Sequence, residues 1–236
     1  MTNLLIRLFV KDYQDVENHT VRERYGKFAG IVGIATNILL FCIKIFAGIV
    51  FHSVAIVADA VNNLSDSASS VVTLVGFKLS AKPADKEHPY GHARIEYISG
   101  LIVSLVILLL GFQLAQSSLG KILHPEESET SLVAVGILVV SVLITLWQFL
   151  FYRTVGRRIS STTLEATAAD SRNDVFSTVA ILIGMGITWL TSYNLDGWMG
   201  LIVALLIVVG GVQLIMETSN PLLGGAPTEE LVQGIY

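Results

Sequence analysis

Two hydrophobic stretches of this sequence carry carboxylate and amide side chains at the spacing of metal ligands. The first contains Asp59, Asn62 and Asp66 at positions i, i+3 and i+7, which lie on one face of a helix. The second contains Asp170 and Asp174, four residues apart. Residues four apart in a helix are separated by about 6 Å along its axis. Each stretch can therefore direct two oxygen ligands towards one point.

Acidic side chains within a hydrophobic stretch indicate a function, because burying a charge in a membrane costs several kcal/mol. Converging carboxylates repel one another, and a divalent cation removes that conflict. The alternative is a structural polar network in which Lys44 or Arg172 neutralises the acids. Asp59 is expected either to line an exit path or to face water. Asp196 and Glu217 fall at predicted helix ends, where solvated or capping roles are expected.

The composition predicts an all-α, polytopic membrane protein. Of its 236 residues, 53% are hydrophobic and 14% are charged, whereas a soluble domain has about 25% charged residues. The net charge of −4 gives no indication of nucleic-acid binding, and a lone cysteine, Cys42, excludes an intrachain disulfide. Hydropathy and turn residues predict six transmembrane helices, at about 27–51, 53–80, 94–121, 131–153, 163–191 and 196–218.

Basic residues predict the orientation of these helices. Twelve lysines and arginines fall on one side of the predicted membrane, so both termini are expected in the cytosol. Residues 1–26 are then a cytosolic segment, either a surface helix or a solvated tail. Residues 27–218 form the transport domain, and 219–236 begin a cytosolic C-terminal region. The twelve are Arg7, Lys11, Arg22, Arg24, Lys27, Lys78, Lys82, Lys86, Arg94, Arg153, Arg157 and Arg158.

The connection between the second and third predicted helices holds a second group of ligand types. Asp85, His88 and His92 could form a three-ligand site for zinc or a similar ion. Alternatively, the two histidines only order the loop and pair with Glu96.

Taken together, these residues resemble the cation diffusion facilitator family of metal exporters. The resemblance covers nearly all of residues 27–225. It rests on the segments His52-Ser-Val-Ala-Ile-Val-Ala-Asp-Ala-Val-Asn-Asn-Leu-Ser-Asp66, Pro83-Ala-Asp followed by His88-Pro-Tyr-Gly-His92, and Asp170-Ser-Arg-Asn-Asp174.

The resemblance implies a secondary active transporter rather than an enzyme. It also implies a homodimer of six-helix protomers in a bacterial plasma membrane, with no resident cofactor and metal exchanged for protons. It places the transport ligands at Asn62, Asp66, Asp170 and Asp174, and a peripheral metal site in the loop. Family members usually continue into a cytosolic ferredoxin-like domain. This sequence stops at Tyr236, so it is expected to be truncated.

The four matching positions contain no histidine, although zinc transporters of the family typically have one there. Carboxylate and amide oxygens suit harder ions such as Mn²⁺, so the pattern favours the manganese-type branch, with Fe²⁺ or Zn²⁺ as alternatives. Two interpretations from other classes remain open. An acid-lined channel would conduct without proton exchange, and a metal sensor would bind without transport.

Overall fold

Six long α-helices make up most of the part of the chain that the computed structural model describes. That part comprises residues 6–7, 9–10, 13–16, 19–80, 89, 94–124, 131–191 and 194–223. The helices are α1 (His19–Val50), α2 (Val54–Ser80), α3 (Arg94–Leu123), α4 (Leu132–Arg158), α5 (Thr162–Thr191) and α6 (Asp196–Leu223). Most of their ends lie within a turn of the predicted ends, but α1 begins at His19 rather than near residue 27. Helices α4 and α6 also end at Arg158 and Leu223, five residues beyond the predicted 153 and 218.

Five of the six helices, all except α2, are each long and apolar enough to cross a membrane. Helix α2 has 27 residues, about 40 Å at helical rise, and is therefore also long enough. Its polar side chains Asp59, Asn63 and Ser67 are buried against other helices. The predicted all-α, polytopic membrane fold is confirmed, whereas the orientation of the termini stays a prediction.

Close helix packing surrounds α2, which contacts α1, α3 and α6. Helices α3 and α6 pack along their length, and a Cβ atom at Gly111 of α3 would lie only 2.8 Å from Cγ2 of Val208 in α6. At Gly48 of α1, a Cβ atom would lie 2.6 Å from Cγ2 of Val57 in α2. Helix α5 packs mainly on α4 and approaches α2 over a shorter stretch. Polar contacts between α2 and α5 are therefore a large part of what joins them.

Two of the turns between helices have the same geometry. His52 and Ser160 both have φ of 49°, the left-handed conformation found just after many helix ends. In each case the next residue donates its backbone N–H to the carbonyl five residues earlier, from Ser53 to Gly48 and from Ser161 to Gly156, both at 2.9 Å. These are Schellman motifs, which reverse the chain so that α1 and α2, and α4 and α5, form hairpins.

The first turns of α1 lie in the charged N-terminal segment, for which a surface helix or a solvated tail was expected. Val21 and Tyr25 of α1 are buried against Phe151 and Tyr152 of α4. The Tyr25 hydroxyl also donates to the carbonyl of Tyr13 at 2.8 Å. This part of the segment is therefore packed onto the helix bundle.

Candidate metal transport site

The residues predicted as transport ligands lie on α2 and α5, and one hydrogen bond joins the two helices there. The amide Nδ2 of Asn62 donates to Oδ1 of Asp174 at 2.7 Å. Asn62 and Asp174 are both half-buried. The amide can donate through its nitrogen while its carbonyl oxygen remains a neutral, hard ligand. The structure thus brings together one predicted ligand from each helix.

Asp66 lies one turn from Asn62 on α2. Its negatively charged neighbours are Asp174 and Asp170. Asp66 is half-buried, whereas Asp170 is exposed. Within the described residues, no set of three or more His, Cys, Asp or Glu side chains is gathered closely enough to hold a metal ion. The assignment of these four residues as ligands therefore stays a prediction.

The chemistry of the four side chains suits a hard divalent cation. They offer three carboxylates and one amide, which provide oxygen ligands and no imidazole or thiolate. Asp174 already accepts a hydrogen bond from Asn62, so these two ligands are ordered relative to each other. Binding a cation would require Asp170 to move towards Asp66 and Asp174, which its exposed position leaves room to do.

A cavity of about 240 Å³ opens beside Asn62 and Asp66, between α2, α3 and α6. It extends along α2 from Asn62 to Ser69, and on α6 its wall includes Gln213 and Glu217. These residues lie towards the ends of α2 and α6 that the sequence predicts to be cytosolic. The cavity therefore gives two of the predicted ligands, Asn62 and Asp66, access to open space within the bundle.

One of the two expectations for Asp59 was that it faces water, and the structure shows that it does not. Its side chain is 1% exposed and forms an ion pair with Lys44 of α1, at 2.7 Å between Oδ2 and Nζ. The structural network considered as an alternative thus exists: Lys44 pairs with Asp59, and Thr178, which contacts both, also lies within hydrogen-bonding distance of the backbone carbonyl of Asp174. Arg172, the other cation considered, is exposed on α5.

Asp196 caps a helix, although not the one that it begins. Its carboxylate accepts the backbone N–H of Val54 at 2.8 Å and the hydroxyl of Ser53, both at the start of α2. Lys121 of α3 completes the group as an ion pair at 2.8 Å. Asp196 therefore holds the first turn of α2 against α3 and α6.

Glu217 does not lie at a helix end, since α6 continues to Leu223 and Glu217 lines the cavity. Sequence reasoning also missed Gln213 and Thr178. The spacing of Gln213 and Glu217, four residues apart on α6, could have indicated a polar face towards the cavity. The predicted loop ligands Asp85, His88 and His92 lie outside the described residues.

A family model described as the cation efflux transmembrane domain matches residues 30–223. The chain belongs to the cation efflux family. The "Uncharacterized transporter MJ0449" of Methanocaldococcus jannaschii is 30% identical over 203 residues, which is 86% of this chain and 72% of the relative. The "Manganese efflux system protein MneS" of Bacillus subtilis is 29% identical over 89% of this chain and 74% of its own length.

A third relative, the "Cation-efflux pump FieF" of Salmonella arizonae, is 29% identical over 87% of this chain and 70% of its own length. This cation efflux protein is thus a divalent metal cation exporter and not an enzyme. It is a multi-pass protein of the plasma membrane. The family, fold class and transporter function predicted from the sequence are confirmed.

Proposed function

We propose that this cation efflux protein exports Mn²⁺ from the cytosol in exchange for protons, using Asn62, Asp66, Asp170 and Asp174 as the ligands. The observation that carries the proposal is the Asn62–Asp174 hydrogen bond between α2 and α5. It joins one predicted ligand of each helix beside a cavity that reaches Asn62 and Asp66. A relative whose name describes manganese efflux supports the choice of ion.

The proposed mechanism is alternating access. The metal ion enters from the cavity side and binds the deprotonated carboxylates of Asp66, Asp170 and Asp174. The helices then move to open the site to the outside. Protons from outside compete for the same carboxyl oxygens, release the ion and return the empty carrier. Exchange follows because one carboxyl group cannot serve a proton and a metal ion at once.

The homodimer is a further part of the proposal. The family resemblance supports it. A peripheral metal site at the loop residues Asp85, His88 and His92 is also part of the proposal, and the family resemblance supports it too. Neither is needed for the transport step itself, which uses residues of a single protomer.

Transport assays in liposomes test the proposal. Asp66→Ala and Asp174→Ala should each lower Mn²⁺ transport by about tenfold or more, because each removes a charged ligand from a buried site. Asp15→Ala is the matched control, since Asp15 is an exposed aspartate outside the helices, and it should transport at the normal rate. Normal transport by both site variants would show that the site is misplaced.

A further inference from the structure

A second polar group lies beside the proposed transport site, on the side away from the cavity. Lys44 of α1 forms its ion pair with Asp59 of α2, and the two side chains are 0% and 1% exposed. The Lys44 ammonium also donates to Oδ1 of Asn63 at 2.8 Å and to Oγ1 of Thr178 at 3.2 Å. Because Thr178 belongs to α5, these contacts join α1, α2 and α5 at one level.

Thr178 links this group to the proposed transport site. Its hydroxyl lies 2.8 Å from Oδ2 of Asp59 and 3.0 Å from the backbone carbonyl oxygen of Asp174. A hydroxyl has a single proton, so it can donate to only one of these oxygens at a time. The position of Asp174 and the state of the Lys44–Asp59 pair are therefore coupled through one side chain.

The ion pair lies between the proposed transport site and the ends of α1 and α2 that the sequence predicts to be outside. Asp59 is seven residues from Asp66 on α2, about 10 Å along the helix axis and away from the cavity. Beyond the pair, Ala47, Ile56 and Ile181 of the same three helices are fully buried in one apolar cluster. Asn62 and Asp66 of the site are thus open to the first cavity, whereas the ion pair and this apolar cluster lie between the site and a second cavity at the opposite end, lined in part by Gly48 and Val57.

Stability alone does not account for a charged pair at this position. A buried ion pair often contributes no more than well-packed apolar residues of the same volume, because both charges lose their hydration. Among the described residues, Asp59 Oδ1 and Asn63 Nδ2 also have no hydrogen-bond partner. A network with such unsatisfied groups gains hydration when it opens, which suits a contact that must break and re-form.

We infer that the Lys44–Asp59 pair is the closed outer seal of the transport path. In this role Lys44, Asp59 and Thr178 are positioning residues that hold α1, α2 and α5 together beside the proposed site. The inference rests on the proposed transport site between α2 and α5. Release of the metal ion to the outside requires Lys44 and Asp59 to separate and become hydrated.

Thiol labelling on intact cells tests the seal. In a Cys42→Ser background, which has no other cysteine, Ser65→Cys places a reporter on the cavity side of the pair, where a reagent added outside arrives only past the seal. A membrane-impermeant maleimide added outside should label this cysteine slowly while the seal is closed. Adding Lys44→Met with Asp59→Asn leaves no unpaired buried charge, and it should speed labelling by about tenfold as the closed state loses population.

A matched control separates the seal from general loosening of the bundle. Gln148 of α4 donates to Asn37 of α1 at 3.0 Å, both side chains are buried, and neither contacts the Lys44–Asp59 pair. Asn37→Leu with Gln148→Leu also removes a buried polar contact of α1, and it should leave labelling of the Ser65→Cys reporter unchanged. Equal acceleration by both double variants would overturn the inference.

Thr178→Val provides a milder test that keeps the ion pair and the side-chain volume. It should speed labelling by a few-fold, because α5 loses its hydrogen bond to Asp59. If the Lys44→Met, Asp59→Asn protein does not fold, Thr178→Val becomes the deciding test of the seal. Unchanged labelling of the reporter in Thr178→Val would then overturn the inference. Labelling requires no metal flux, so it tests the seal without testing Mn²⁺ transport. The transport assays on the Asp66→Ala and Asp174→Ala proteins test the proposed function separately.

Discussion

At the level of single residues, the type of the side chain at each ligand position decides which ion is favoured. Asn62, Asp66, Asp170 and Asp174 provide oxygen ligands only, whereas one imidazole would favour zinc. Asp170 is the exposed member of the set, so it is the position where a larger ring can be introduced with least disturbance of packing.

The Asp170→His substitution should raise the ratio of Zn²⁺ to Mn²⁺ transport by about tenfold, because imidazole is a softer ligand than carboxylate. Rates measured in liposomes with each metal would give the ratio. Asn173→His is the control, since Asn173 is exposed on the same helix and is not a predicted ligand. An equal shift in both variants would mean that Asp170 does not set selectivity.

Spacing alone was sufficient to predict the pairs Asn62–Asp66 and Asp170–Asp174, because helical periodicity fixes which residues of one helix share a face. The partner of Asp59 could not be predicted in this way. Lys44 was recognised as a buried cation, but its pairing depends on how α1 is rotated against α2. That rotation is set by tertiary packing, including the close approach at Gly48.

At the level of helices, α6 contributes a polar row to the cavity. Gln213 and Glu217 are four residues apart, both line its wall, and both are more exposed than Asn62. A carboxylate at the mouth of a cavity raises the local concentration of cations and speeds their capture. It does not contact an ion bound at the predicted ligands.

We therefore expect Glu217→Gln to raise the apparent KM for the metal by about threefold at low salt while the maximal rate changes little. Initial transport rates over a range of metal concentrations would separate the two parameters. Glu165→Gln makes the same charge change at an exposed position in the first turn of α5, and its KM should stay normal. The same rise in both would indicate a general surface-charge effect.

Most helix bounds were predictable because Pro, Gly and His-Ser breaks separate long apolar stretches. Helix α2 was recognised from these breaks rather than from its hydropathy, which its polar residues lower. The early start of α1 was not predicted. The charged residues around it mask the apolar positions Val21 and Tyr25, which are buried only because α4 supplies Phe151 and Tyr152.

At the level of the whole molecule, a carrier and a channel differ in whether both sides of the site are open at once. The structure has a cavity on one side of Asn62 and Asp66 and packed side chains with a buried ion pair on the other. Such an arrangement is typical of one state of an alternating-access carrier. It predicts that metal and proton movements are coupled.

Vesicles that contain a pH-sensitive dye test this coupling. A metal gradient should drive protons in the opposite direction, and Asp66→Ala should abolish the metal and proton movements together, because both use the same carboxylates. Metal flux without proton movement would instead support the acid-lined channel.

The central claim is that a hard divalent cation binds between α2 and α5. Anomalous scattering at the manganese edge, measured on a crystal of the protein soaked in Mn²⁺, tests this claim most directly because it locates and identifies the ion together. The account predicts a peak in contact with the side chains of Asn62, Asp66, Asp170 and Asp174. A manganese peak found only elsewhere, such as beside Asp85, His88 and His92, would contradict it.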